Sequence, residues 1–348
     1  MKKRSIKKLI CITAALMMTV AGCGNSARKA SVSYISEKYA IPSDDQLIVY
    51  TSHKEEVYLP IIQEFEAVTG ICVTIKAGGT TEMFEALKSA SAKGECDVMF
   101  GGGLESFEAA KDLFMPYATT EKSCLEPEFL SDGDYWTPFT ELPLVFVYNS
   151  KLVSEEDAPS GWADLFSDRW KGKVAFADPH NSGTSYTIIS TYMQLMHKDA
   201  EEAVEDIAAL LDGKLLSSSG QIVQNVSDGI SLVGITLEET AKKKISEGYD
   251  IAMVYPADGT SAVPDGCGMV KNAPHSYNAG RFIDFIVDHA TQEYAVEEFK
   301  RRPVRTDMTL PEEFGQIGRI DFDIRESAKN ESRVFEAWDE IFAGVTAR

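Results

Sequence analysis

The hydrophobic positions in the first half of the chain alternate between short apolar runs and helical spacings. LIVYTS (47–52), ICVTIK (71–76) and DVMFGGG (97–103) are apolar runs of strand length. VYLPIIQEFEAVTG (57–70) and TTEMFEALKSASAKG (80–94) carry apolar residues at helical spacing, and each closes on a glycine. Strands that alternate with helices predict βαβ units and a mostly parallel sheet.

The middle of the chain changes its pattern. WTPFTELPLVFVYN (136–149) is strand-like but contains two prolines, which suit an edge strand or a connector, so we interpret it as a crossover to a second domain. A second strand-like segment, at 259–270, is interrupted by glycines and a proline and predicts the return crossover. Between them the pattern predicts strands at 173–178, 231–236 and 250–255 and helices at 184–197 and 200–212.

These elements predict an α/β protein of two lobes. About 300 residues are long for one core and natural for two domains. We place lobe 1 at 46–138 plus 262–348 and lobe 2 at 139–261. Two crossovers between two α/β lobes form a hinge with a cleft between them, and ligands of open α/β sheets bind outside the carboxyl ends of the strands.

The first residues have the order of an export signal. A basic segment, MKKRSIKK, precedes the apolar run LICITAALMMTV, which is too short for a comfortable membrane span. The order Val-Ala-Gly-Cys at 20–23 resembles the bacterial lipobox, which implies a signal peptide at 1–22 and a lipid on Cys23. Residues 23–45 would then tether an extracytoplasmic protein to the cell membrane. The alternative is an ordinary secretory peptide with an incidental cysteine.

Charge and cysteine content narrow the partners. The net charge is −20, and loss of the basic residues of 1–22 makes it −25, which disfavours nucleic acid and leaves the lipid as the only membrane contact. Cys72, Cys96, Cys124 and Cys267 are widely spaced and show no CxxC or zinc pattern. We interpret them as mostly buried small hydrophobes and leave any disulfide pairing open.

Four loops follow predicted strands or open predicted helices and carry small polar residues. The residues expected at the cleft from these loops are Thr51, Ser52, His53, Gly79, Thr80, Gly102, Gly103, Ser182, Gly183, Thr184 and Ser185. Glycine allows close approach of the backbone, and N–H groups at a helix start favour an anion. Each loop taken alone also fits an ordinary turn or helix cap. The spacings GxxxxGK[ST] and GxGxxG are absent, which disfavours nucleotide hydrolysis and dinucleotide binding.

Several stretches resemble the extracellular solute-binding proteins of bacterial ABC importers, in the group with ferric-ion-, phosphonate- and hexose-phosphate-binding members. The resembling stretches are LIVYTSHKEE, FEAVTGICVTIKAGGTTEMFEAL, CDVMFGGG, SGWADLFSDRWKGKVAFADPHNSGTSYT and GYDIAMVYPADGTSAVPDGCGMVKNAPHSYNAGRFIDFI. The resemblance covers nearly the whole mature chain. It implies the type II periplasmic-binding-protein fold, ligand contacts from the SGTS and first-strand loops, and permease and ATPase subunits as partners.

The resemblance leaves the ligand open. Ferric-ion binders of the group rely on two adjacent tyrosines, and this chain has no Tyr-Tyr pair, although His53 and Glu105 could still bind iron. A phosphorylated or phosphonate-bearing organic solute, such as a hexose phosphate, fits the loops better. Ser52, His53 and Glu238 would hold its polar remainder, and Tyr255 would line the cleft. Glu238 also fits a helix N-terminus without any ligand.

Rival functions are an enzyme and a sensor. The chain lacks GxSxG and HExxH, and its histidines show no paired metal spacing, so we predict no catalysis and no cofactor. A lipoprotein that senses the same ligand for a histidine kinase remains an alternative, because sensing and transport both use lobe closure. We expect a monomer.

Overall fold

The computed structural model describes residues 41–343. The strands are β1 (Gln46–Thr51), β2 (Cys72–Ala77), β3 (Val98–Gly103), β4 (Thr137–Glu141), β5 (Leu144–Asn149), β6 (Val174–Ala175), β7 (Val233–Leu237), β8 (Ile251–Val254), β9 (Pro264–Met269) and β10 (Arg302–Pro303). The α-helices are α1 (Glu55–Thr69), α2 (Thr80–Lys93), α3 (Leu104–Ala109), α4 (Trp162–Leu165), α5 (Gly183–Met196), α6 (Ala200–Leu211), α7 (Ile222–Ser227), α8 (Glu238–Ser246), α9 (Ser276–Val287), α10 (His289–Phe299) and α11 (Ile324–Ile341). The predicted signal peptide and Cys23 lie outside the described residues.

The first sheet has six strands in the order β10-β4-β9-β3-β1-β2. The helices that follow β1 and β2 end where the sequence predicts. Gly70 and Gly94 adopt the left-handed conformation that closes α1 and α2. Aromatic side chains fill the core around this sheet, where Phe65 and Phe100 both meet the ring of Phe282 edge to face.

The second sheet has four strands in the order β6-β7-β5-β8. Its core contains Phe146 and Trp162, whose ring centroids are 5.3 Å apart. Within residues 41–343, the only parallel pairs of named strands are β1–β2, β1–β3 and β6–β7. The three strands from which a parallel sheet is predicted, β1, β2 and β3, do pair in parallel, but most of the other strand pairs are antiparallel. The strands that flank the two crossovers are β4, β5, β8 and β9. Each of them runs antiparallel to the strands with which it pairs.

The proline-rich segment at 136–149 is two strands in two different sheets. β4 belongs to the first sheet and β5 to the second, and only Leu142 and Pro143 separate them. The chain returns between β8 and β9. These two passages hold the carboxyl ends of β1, β2 and β3 close to the start of α5.

Helix α11 packs differently from the sequence expectation. Its residues Val334, Ala337 and Trp338 are buried in the core of the second sheet, whereas the stretch 262–348 is assigned to lobe 1 above. Ile324, at its start, packs against the core of the first sheet. Thus α11 spans both cores, and the lobe boundaries stay a prediction. Among residues 41–343, none of the helices combines the length and the apolar character that a membrane span requires.

Candidate functional site

A cavity of about 630 Å³ lies between the two sheets. Its walls come from the ends of strands and the starts of helices on both sides. The predicted site residues that line it are Ser52, His53, Gly79, Thr80, Gly102, Gly103, Ser182, Gly183 and Thr184. Loops that lie far apart in the sequence therefore meet around one space.

Helices α2 and α5 begin at the cavity wall and nearly touch. A Cβ atom added at Gly183 would lie 2.9 Å from Thr80 Oγ1, and one added at Gly79 would lie 3.4 Å from the carbonyl oxygen of Asn181. No side chain caps α2, and at α5 the Ser182 hydroxyl accepts from the N–H of Ser185 at 3.2 Å. Unbonded N–H groups of two first turns, with the partial positive charge of each helix start, therefore converge here.

His53 lies in the cavity wall and is neutral. Only 4% of its side chain is exposed, and its ring meets Phe100 and Phe139 edge to face. Burial, and secondly the positive charge of Arg301, lowers the pKa of His53 well below its ordinary value. Its Nε2 atom has no hydrogen-bond partner among the described residues.

The charged residues of the wall are absent from the sequence prediction, and three of them, Arg301, Asp265 and Glu239, lie next to one another. Arg301 donates from Nη1 to Asp265 Oδ2 at 2.6 Å, and its Nη2 lies 3.7 Å from Glu239 Oε1. Asp265 belongs to β9, whereas Glu239 follows β7 of the second sheet, so Arg301 stands between carboxylates of both sides. The basic run RRPVR is visible in the sequence, but nothing local shows which of its arginines faces a cavity.

Thr51 and Ser185 lie beside the cavity but not in its lining. Thr51 is fully buried at the end of β1, and its hydroxyl accepts from the N–H of His53 at 3.1 Å. Ser185 is also fully buried, and its N–H is the group that Ser182 caps. Both residues shape the backbone of their loops, and their neighbours His53 and Ser182 reach the cavity.

Glu238 and Tyr255 occupy a different environment from the one expected. The Glu238 carboxylate accepts from Arg302 at 2.8 and 3.0 Å, and the Tyr255 hydroxyl hydrogen-bonds to the same carboxylate. Neither Glu238 nor Tyr255 lines the cavity. The expectation that they contact the ligand is therefore corrected: the next residue, Glu239, faces the cavity, because consecutive residues at the start of α8 point in different directions.

If the protein binds ferric ion, His53 and Glu105 are the ligands that the sequence predicts. Glu105 is 1% exposed and accepts a hydrogen bond from Thr187. Glu105 does not belong to the cavity lining that contains His53. Within residues 41–343, no group of three or more His, Cys, Asp or Glu side chains is arranged to hold a metal ion. The structure thus does not bring the two named residues together in one lining.

The cavity combines donors for an anion with several carboxylates. Lys54 and Arg301 line it together with Glu55, Glu239 and Asp265, and serine and threonine hydroxyls lie between them. Such a lining suits a ligand that has an oxyanion at one end and hydrogen-bonding groups elsewhere.

Comparison with known proteins identifies the family of this chain. A family model for bacterial extracellular solute-binding proteins matches residues 95–316. Iron uptake protein A1 of Synechocystis sp. is 25% identical over 304 residues, which cover 81% of this chain and 82% of that protein. A putative 2-aminoethylphosphonate-binding periplasmic protein of Salmonella typhimurium is 24% identical over 255 residues, 72% of this chain and 74% of that protein.

A solved structure shows the same fold. The periplasmic binding protein AfuA from Actinobacillus pleuropneumoniae, with exogenous fructose-6-phosphate bound, has a TM-score of 0.78 at 23% identity, covering 86% of this chain and 99% of that chain. The predicted resemblance and the two-lobed periplasmic-binding-protein fold are confirmed. The chain therefore belongs to the bacterial extracellular solute-binding protein family, whose members are non-enzymatic, extracytoplasmic components of ABC importers.

Proposed function

We propose that this protein captures a small phosphorylated or phosphonate-bearing organic solute and delivers it to the permease and ATPase subunits of an ABC importer. The observation that carries the proposal is the convergence of the α2 and α5 starts on one cavity. On this proposal, Cys23 carries the lipid that keeps the protein at the cell membrane.

Of the two helix starts, that of α5 is better suited to bind an oxyanion. Its first turn contains no acidic residue, so nothing on the helix competes with a ligand anion for the N–H groups. Thr184 adds a hydroxyl donor at the same position of the cavity wall. Helix starts of this kind bind phosphate and related oxyanions without a lysine.

The remaining lining favours an organic solute over bare phosphate. Glu55, Glu239 and Asp265 give that part of the wall negative charge, which repels a second anionic group. Ser52, Ser218 and Ser219 offer hydroxyls to a polar, uncharged body. A ligand that is anionic only at its phosphorus group matches both regions.

A ligand panel tests the proposal. Binding to the native state raises the melting temperature, so fructose-6-phosphate, 2-aminoethylphosphonate, inorganic phosphate and ferric citrate are compared by thermal shift and calorimetry. We expect at least one of the two organic phosphorus compounds to bind more tightly than inorganic phosphate. If ferric citrate alone shifts the melting temperature, the proposal is wrong and the iron alternative replaces it.

A paired variant locates the binding. The double variant Ser182→Ala/Thr184→Ala removes two hydroxyl groups from the wall, and we expect it to weaken the organic ligand by more than about tenfold. The matched control Ser154→Ala/Ser246→Ala removes two exposed hydroxyl groups elsewhere and should leave the affinity unchanged. Equal affinities in both double variants would place the oxyanion outside the α5 start.

A further inference from the structure

We infer that Arg301 determines which organic phosphorus compounds the cavity accepts, by donating a hydrogen bond to a ligand oxygen remote from the phosphorus group. This inference rests on the proposed function and names its substrate class. The class is a phospho-organic solute with a hydroxyl or carbonyl oxygen on its body, such as a sugar phosphate, rather than an aminoalkyl phosphonate or bare phosphate.

The side chain of Arg301 is held by partners on one side and unpaired on another. Nη1 donates to Asp265 Oδ2 at 2.6 Å and lies 3.3 Å from Thr140 Oγ1. Nε has no hydrogen-bond partner among the described residues, although the side chain is only 5% exposed and lines the cavity. A buried N–H of a charged group without an acceptor is costly, so an acceptor supplied by the ligand stabilises the complex.

His53 provides a second unpaired atom in the same wall. Its Nε2 lies 3.6 Å from Asp265 Oδ2, the oxygen that Arg301 binds, and makes no hydrogen bond of its own. A neutral imidazole offers one donor and one acceptor nitrogen. A ligand hydroxyl group can accept from Arg301 Nε and can also bond to His53, whereas an ammonium group has no lone pair with which to accept from Arg301.

Both oxygens of Asp265 and one oxygen of Glu239 accept hydrogen bonds within the protein. Asp265 Oδ1 accepts from the N–H and the hydroxyl of Thr140 at 2.8 and 2.9 Å, and Oδ2 accepts from Arg301. Glu239 Oε1 accepts from the Thr240 hydroxyl at 2.8 Å. An ammonium group placed beside Arg301 Nε would meet a like charge and offer no lone pair to that N–H, so it cannot replace the hydroxyl or carbonyl oxygen at this point.

Arg302 is a matched control. It is the next residue and equally buried, but its guanidinium binds Glu238 at 2.8 and 3.0 Å and does not line the cavity. The substitution Arg→Lys keeps the positive charge and removes the Nε donor geometry at either position. Only Arg301→Lys should therefore change ligand selectivity.

Calorimetry on the wild-type protein and both variants tests the inference, with fructose-6-phosphate, 2-aminoethylphosphonate and inorganic phosphate as probes. We expect the wild-type protein to bind fructose-6-phosphate at least about tenfold more tightly than either other probe, the effect of one charge-assisted hydrogen bond. Arg301→Lys should lower that ratio by about tenfold. Arg302→Lys should lower the melting temperature but keep the ratio.

The outcomes separate the inference from the proposed function. If the wild-type protein prefers 2-aminoethylphosphonate, or if Arg301→Lys weakens all three probes equally, the inference is overturned and the proposed function stands. If none of the phosphorus compounds binds the wild-type protein, the proposed function is contradicted as well. A wild-type preference for 2-aminoethylphosphonate or inorganic phosphate overturns the inference even if Arg301→Lys fails to fold.

Discussion

At the scale of single residues, two buried glutamates and one half-buried glutamate show how the surroundings decide the state of one side chain. Glu238 is paired with Arg302, and Glu105 accepts a hydrogen bond from Thr187. Glu331, on α11, lies in the wall of a second cavity of about 500 Å³ that also contains Glu85 and Lys88. Burial, and secondly the carboxyl group of Glu105, raises the pKa of Glu331 from about 4.5 to about 7.

The raised pKa of Glu331 predicts a pH-dependent stability. The folded protein binds this proton more tightly than the unfolded chain, so the free energy of unfolding falls as the pH rises from about 4.5 to about 7. Glu331→Gln removes this dependence. We expect its melting temperature, relative to the wild-type protein, to rise by about 2 °C between pH 5 and pH 7.5, in circular-dichroism melts.

The exposed residue Glu336 on the same helix gives the control for that measurement. Glu336→Gln should follow the wild-type curve at all pH values. Parallel curves for Glu331→Gln and the wild-type protein would contradict the assignment of the titration to Glu331.

At the scale of elements, two helix caps have the same local chemistry and different surroundings. Ser182 begins α5 at the cavity, where its hydroxyl accepts from the N–H of Ser185. Asp199 begins α6 away from the cavity lining, where it accepts from the N–H of Glu202 at 2.9 Å in a reciprocal capping box. A cap is local, but its distance from the ligand depends on the fold.

This difference predicts two separable effects of cap removal. Ser182→Ala and Asp199→Ala should each reduce the free energy of unfolding by about 1 kcal/mol, measured by urea denaturation. Ser182→Ala alone should weaken the binding of fructose-6-phosphate in calorimetry, because it also removes a donor from the cavity. Loss of affinity in Asp199→Ala, or none in Ser182→Ala, would show that the cap and the ligand contact are not linked in this way.

At the scale of the whole molecule, contacts between the two sides of the cavity keep the two sheets close. Lys243 of α8 pairs with Glu56 of α1 at 2.7 Å. Gly183 approaches Thr80 so closely that an added Cβ atom would lie 2.9–3.3 Å from three of its side-chain atoms. The closed arrangement therefore requires a very small residue at position 183.

The close approach predicts the effect of a single methyl group. Gly183→Ala should weaken ligand binding by about tenfold in calorimetry, since overpacking costs about 1–3 kcal/mol and acts only when the two sides are closed. The stability of the ligand-free protein should fall less than the affinity does, because separation of the two sides, which the proposed function includes, relieves the contact with Thr80. Gly220 also lines the cavity, but a Cβ atom there meets only Ser218 Oγ, at 3.6 Å. Gly220→Ala should bind as the wild-type protein does, and equal affinities for both alanine variants would refute the closure argument.

Local patterns in the sequence were sufficient for the first three strands, the two helices between them and the chemistry of the loops. Periodicity and helix-closing glycines are short-range signals, so α1 and α2 end at Gly70 and Gly94 as the sequence predicts. The resemblance to solute-binding proteins added the class of protein. The small polar loops around Gly79 and Ser182 could be named because their residue types serve an anion whatever the remainder of the chain does.

Only the tertiary structure decided which of two identical neighbours faces the ligand cavity. Arg301 lines it and Arg302 does not, and Glu239 lines it while Glu238 is paired away from it. Strand direction depends likewise on how β9 returns from the second sheet, and the burial of Trp338 depends on a core formed far away in the sequence. The sequence specifies residue type and local spacing, whereas the direction of a side chain follows from packing between segments that are distant in the sequence, such as Arg302 and Glu238, which are 64 residues apart.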